Sequence, residues 1–167
     1  MKYISITLLM SSILLLIISG SCNTKWSEAK KQDFEKQCMQ TDTINDLNIA
    51  FIGFNYDEIE KTVIKRIHKG VVVDSFNITV NINSHDPKRN QYWAYIEKTV
   101  HLRDIYHIIV PNQQTFILSN MRMVMWPQFT MFSEGYGCRL GEYRIDSEKF
   151  EYNSNPHFIK KGYQFEW

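Results

Sequence analysis

The chain changes character near residue 47. Beyond it, short apolar runs and alternating stretches are separated by turn residues. Residues 47–54 (LNIAFIGF) are almost continuously apolar, the pattern of a strand covered on both faces. Residues 62–67 carry β-branched side chains, and His68-Lys69-Gly70 closes that run. The clearest alternation sets Phe76, Ile78, Val80 and Ile82 against Asn77, Thr79, Asn81 and Asn83, which predicts one half-buried strand. A polar loop with Pro87 follows over 84–90. Over 92–102 the residues Ala94, Ile96, Val100 and Leu102 share a face. Residues 105–110 and 115–126 form a pair of runs around Pro111-Asn112-Gln113-Gln114, read as a hairpin. Residues 133–137 read as a turn, and 138–145 and 149–152 flank Asp146-Ser147-Glu148 as a second hairpin.

These seven or eight strands predict an all-β fold, an antiparallel β-sandwich of immunoglobulin- or transthyretin-like kind. No helical segments lie between the strands to carry parallel crossovers, and three Ala in the whole chain argue against a helical bundle. Residues 26–39 (WSEAKKQDFEKQCM) can make a short helix, but it is mostly polar and only Phe34, Cys38 and Met39 give it an apolar side. The expected organisation is therefore a leader over 1–21, an anchor and tether or short helix over 22–46, and one sandwich domain over 47–167.

Lys2 precedes an uncharged apolar run at 4–18, then Ser19, Gly20, Ser21 and Cys22. The run is shorter than the ~20 residues a spanning helix needs. Basic start, apolar middle and small-residue end are the parts of a secretory signal. With Cys22 directly after ISGS, the segment resembles the signal of bacterial lipoproteins, although Ser19 stands where that pattern prefers Leu. An ordinary cleaved signal and an uncleaved anchor are the competing readings. The resemblance extends to small lipoproteins with a signal, a short polar segment and a sandwich body. It implies lipidation of Cys22 and anchoring in the outer membrane on the periplasmic side. It supplies no catalytic residue.

Cys22, Cys38 and Cys138 are the three cysteines. If Cys22 carries lipid, an even pair is left in an oxidising compartment, and a Cys38–Cys138 disulfide is expected; two separate thiols are the alternative. With 19 Lys+Arg against 18 Asp+Glu, the formal charge is +1, which offers no field to hold nucleic acid.

Met121, Met123 and Met125 fall on one strand face. Thioethers can bind Cu(I), but Asn120 and Arg122 on the other face make the Met face the core face. The five His show no zinc-like spacing, so no metal site and no cofactor are expected. Gly135, Gly137 and Gly141 miss the dinucleotide spacing by one residue. Asp57, Glu58, Glu60, Glu142 and Asp146 read as solvated edge charges, and no catalytic residue is singled out.

Trp93 and Tyr95 share a strand face opposite Ala94 and Ile96, and Tyr163, Phe165 and Trp167 alternate at the C-terminus. Exposed rings of this kind stack on sugars or bury in a protein partner; the alternative is a covered second face. The sequence thus points to a lipid-anchored, non-enzymatic module that binds an envelope protein, with a glycan bound through Trp93 and Tyr95 as the second reading.

Overall fold

The computed structural model describes residues 25–129 and 133–164. Its strands form two main sheets. In the larger the order is β11(Glu148–Glu151), β10(Tyr136–Ile145), β9(Gln114–Pro127), β8(Ile105–Val110), β3(Val63–His68), β4(Val71–Asn77), all antiparallel. In the smaller it is β12(His157–Ile159), β2(Leu47–Ile52), β6(Gln91–Ile96), β5(Thr79–Asp86). Here only β12 runs parallel to its neighbour. A two-stranded ribbon pairs β1(Thr43–Ile44) with β7(Val100–His101). Among the described residues there are two helices, α1(Glu28–Gln40) and the single turn α2(Tyr56–Ile59). The fold is the all-β sandwich that the alternation predicts.

The two sheets meet through apolar residues at alternate positions. Ile49, Phe51, Ala94 and Ile96 from the smaller sheet share one core with Ile64, Ile108, Phe116 and Leu118 from the larger. Phe116 meets Phe158 of β12 at a ring-centroid distance of 5.0 Å and Phe54 at 6.4 Å, which joins the sheets by aromatic contact. Burying one such ring stabilises the fold by about 1.5–3 kcal/mol. Tyr106 and Tyr143 are buried whole, and each hydroxyl has a partner: Tyr106 Oη accepts from His101 N (2.8 Å), and Tyr143 Oη donates to Asn155 O (2.9 Å). Burial pushes both phenols up from their usual pKa.

The alternation over 76–83 belongs to two strands, not one. The chain leaves the larger sheet after Asn77 and enters the smaller at Thr79. Ile78 at the corner is buried, and its N–H donates to Thr62 O (3.2 Å). Period two passes through the corner without a break, so the sequence shows no boundary there. Ile82 is exposed, because β5 is an edge strand whose register slips after Asn81. The Met face is core: Met121 and Met123 are buried and Met125 packs against them.

β9 and β10 reach beyond the smaller sheet, and α1 packs against this overhang. Ser27 caps the helix, its Oγ accepting from Lys30 N. Cys38 is its one fully buried residue and is bonded to Cys138 of β10 with the Cα atoms 5.3 Å apart. Trp26, one residue before the cap, meets Phe34 and Tyr136 edge-on at 5.4 and 5.2 Å. Glu28–Gln40 is therefore a docked helix, the second of the two forms expected for this segment. The sheet structure begins at Thr43, four residues before the expected boundary.

Candidate functional site

Of the two candidate ring residues, Trp93 is half-buried and Tyr95 is 48% exposed, while Ala94 and Ile96 between and beyond them face the core. The pair does share the outer face of the smaller sheet. Trp93 lies across from Ala50 on one side and Asn81 on the other, and Tyr95 across from Asn48 and Thr79. Ser84 Oγ accepts from Trp93 N (2.8 Å) and donates to Asn81 O (2.6 Å), which holds the irregular part of β5 against β6. His157 meets the Trp93 ring at 5.9 Å, and its pKa is lowered first by burial and then by Arg89. Next to Tyr95, a hollow of about 220 Å³ opens between Phe76, Asn77, Thr79 and Lys98. The result is a ledge of two rings among short amide and hydroxyl side chains. Such a ledge can stack on a sugar ring and hydrogen-bond its hydroxyls.

A second surface was not singled out from the sequence. β3 and β4 are joined by Lys69 and Gly70, both at positive φ (49° and 82°), the two-residue turn that suits a twisted hairpin. β4 is an edge strand, and Val71, Val72 and Val73 on it are 63%, 53% and 46% exposed. Val72 pairs with Ile67, and Ile67 with Ile105, which makes an apolar row across three strands that ends at the open edge. Lys65 and Lys69 flank it. The turn end of the hairpin is held by Asp104, only 4% exposed, whose Oδ1 lies 2.6 Å from His68 Nδ1 and Oδ2 lies 3.5 Å from Arg66 Nε.

The other three sheet edges carry features that discourage pairing. β11 presents Glu148, Lys149 and Glu151. β12 has three residues. β5 slips register and ends at Asp86. The far half of β4 is also covered, since Lys98 pairs with Asp74 (3.1 Å) and lies over the Phe76 ring (4.3 Å). Val71–Val73 offers three exposed apolar side chains in a row on an edge strand, with no charged side chain among them. The triple Val after a Lys-Gly turn is a strand signal in the sequence, but its place at an edge is not.

Cys22 lies outside the described residues, as do Phe165 and Trp167. Tyr163 is described and packs where a side chain on Gly53 would stand. Glu58 is not a free edge charge: Lys160 Nζ is 2.6 Å from its Oε1, and this bond, followed by that from Asn55 N, lowers its pKa. Asp146 Oδ1 accepts from Ile117 N (2.9 Å). Among the described residues no three His, Cys, Asp or Glu gather as a metal site, and no helix is long and apolar enough to cross a membrane.

In comparisons with known proteins, no family model matches this chain, and no curated protein or solved structure matches it.

Proposed function

We propose that this protein is a lipid-anchored, non-enzymatic envelope module that holds a protein partner by strand addition at the β4 edge, on the periplasmic face of the outer membrane. The supporting observation is the uncharged run Val71–Val73, open at the end of a six-stranded sheet whose other edge is charged. An extended segment laid along β4 would satisfy the open backbone groups, and its apolar side chains would prolong the row Val72–Ile67–Ile105. Lys65 and Lys69 favour acidic residues beside those side chains. The anchor rests on the segment ending at Cys22.

The experiment is a crosslink and pull-down from detergent-solubilised membranes, comparing wild type with Cys22→Ala and Val72→Lys. Mass spectrometry reads both the partner and the acyl group on residue 22. The reading expects an acylated Cys22 and a specific partner that Val72→Lys loses. A partner retained by Val72→Lys removes the edge from the account, and an unmodified Cys22 removes the anchor.

A second reading is favoured by the shared face of Trp93 and Tyr95, which suits an envelope glycan. Trp93→Ala should then abolish polysaccharide binding and leave folding intact. Unchanged binding would exclude it.

A further inference from the structure

Residues 23–25 are all that separate Cys22 from Trp26, and Trp26 is fixed to the body. Its N–H donates to Glu134 Oε2 (3.1 Å), and its ring is held between Phe34 and Tyr136. A fully extended chain covers at most about 3.6 Å per residue, so Trp26 lies within about 14 Å of residue 22. Acyl groups on Cys22, or an uncleaved apolar segment ending at Ile18, would therefore keep this end of the body close to the bilayer.

The side chains at this end have interfacial character. Lys30 Nζ lies 4.0 Å from the Trp26 ring centroid. Phe129, just past the last strand pair of the β9–β10 hairpin, is 70% exposed. On the other side of the hairpin, the Arg139 guanidinium lies 2.9 Å over the Trp126 ring. A hollow of about 500 Å³ opens between Lys25, Trp26 and Phe129. Of the carboxylates here, Glu134 is engaged by Lys31 and Tyr136, and Glu28 by Lys31. The exposed rings of Trp126 and Phe129, with Lys30 and Arg139 resting on aromatic faces beside them, are what the headgroup region of an anionic bilayer accepts.

We propose that this end of the molecule, with Trp26, Lys30, Trp126, Phe129 and Arg139, is a membrane-docking surface that lays the body on an anionic phospholipid bilayer. It rests on the anchored reading above and adds an orientation to it. Val71–Val73 and the Trp93 ledge are not among these side chains, although the β3–β4 turn lies at the same end of the larger sheet as the β9–β10 turn.

The test reconstitutes the full chain into phosphatidylcholine vesicles with and without phosphatidylglycerol, their acyl chains brominated to quench tryptophan. Flotation reads anchoring, and quenching reads orientation. The expected result is flotation with both compositions, with quenching at least threefold stronger when phosphatidylglycerol is present. Trp126→Phe should remove part of that quenching, whereas Trp93→Phe should not. Phe129→Asp with Lys30→Glu, both on exposed residues, should cut quenching at least threefold without changing flotation or thermal unfolding. Flotation with no quenching, or quenching insensitive to these substitutions, overturns the docking surface and leaves the anchor standing. A chain that does not float overturns the anchor and the docking surface with it.

Discussion

Cys38 of α1 is bonded to Cys138 of β10, a partner 100 positions away in the chain. This bond makes a mostly polar helix part of the body. Phe34 and Trp26 pack on one another and add contact at the start of the helix, but Cys38 is the only residue of α1 that is fully buried. The long loop it closes removes much freedom from the unfolded chain.

Breaking that bond should therefore cost about 2–5 kcal/mol. Cys38→Ala with Cys138→Ala is expected to lower the urea midpoint and to steepen the slope, because the unlinked unfolded chain exposes more surface. It should also open α1 to trypsin at Lys30, Lys31 and Lys36 before the sandwich is cut. An unchanged midpoint would show that α1 is held by its side chains alone.

Low pH should loosen the same helix. The Tyr136 hydroxyl and then the Lys31 ammonium bring Glu134 from 4.5 down to about 2. A depressed carboxyl pKa contributes stability above the unfolded value, and that contribution is lost as pH falls from about 4.5 through about 2. The Trp26 indole resonance should shift across that window in wild type, while Glu134→Gln should already show the loosened state at neutral pH. A Trp26 signal constant down to pH 2 would contradict the Glu134 contacts.

Gly141 admits no side chain, because an added Cβ would run into both methyl groups of Val124 on β9. Gly141→Ala should destabilise the protein by about 1–3 kcal/mol through overpacking. In a Val124→Ala background the same change should cost clearly less, as a double-mutant cycle in denaturant would show. Equal costs in the two backgrounds would place the strain elsewhere.

Tyr106→Phe should cost about 1–3 kcal/mol, since it takes the acceptor from His101 N–H. The loss should be greatest near the β1–β7 ribbon, where hydrogen exchange of residues 100–102 would rise. Protection unchanged there would mean that the ribbon is held by its own strand pairing.

Runs bounded by the turn residues 111–114 and 146–148 were enough to place β8, β9, β10 and β11 close to their observed limits, and the pleat sets which of their side chains face inward. The shared face of Trp93 and Tyr95 follows from the same rule. Cysteine parity pointed to the Cys38–Cys138 pair, and the polar surroundings of Met121 and Met123 marked them as core. β12 stayed hidden, since its three residues His157–Ile159 become a strand only by pairing with β2, more than a hundred positions earlier.

Local pattern by itself determined the all-β class and the inward-facing positions of the regular strands, because the pleat alternates inward and outward sites; Ile82 departs from it where β5 slips register. Tertiary structure alone decided that the chain changes sheets at Ile78, that β4 ends a sheet with Val71–Val73 uncovered, and that Trp26 is pinned beside the β9–β10 hairpin. Those are relations between segments far apart in sequence. They depend on which strand edges meet and which are left open, a choice made by the packing of the whole chain.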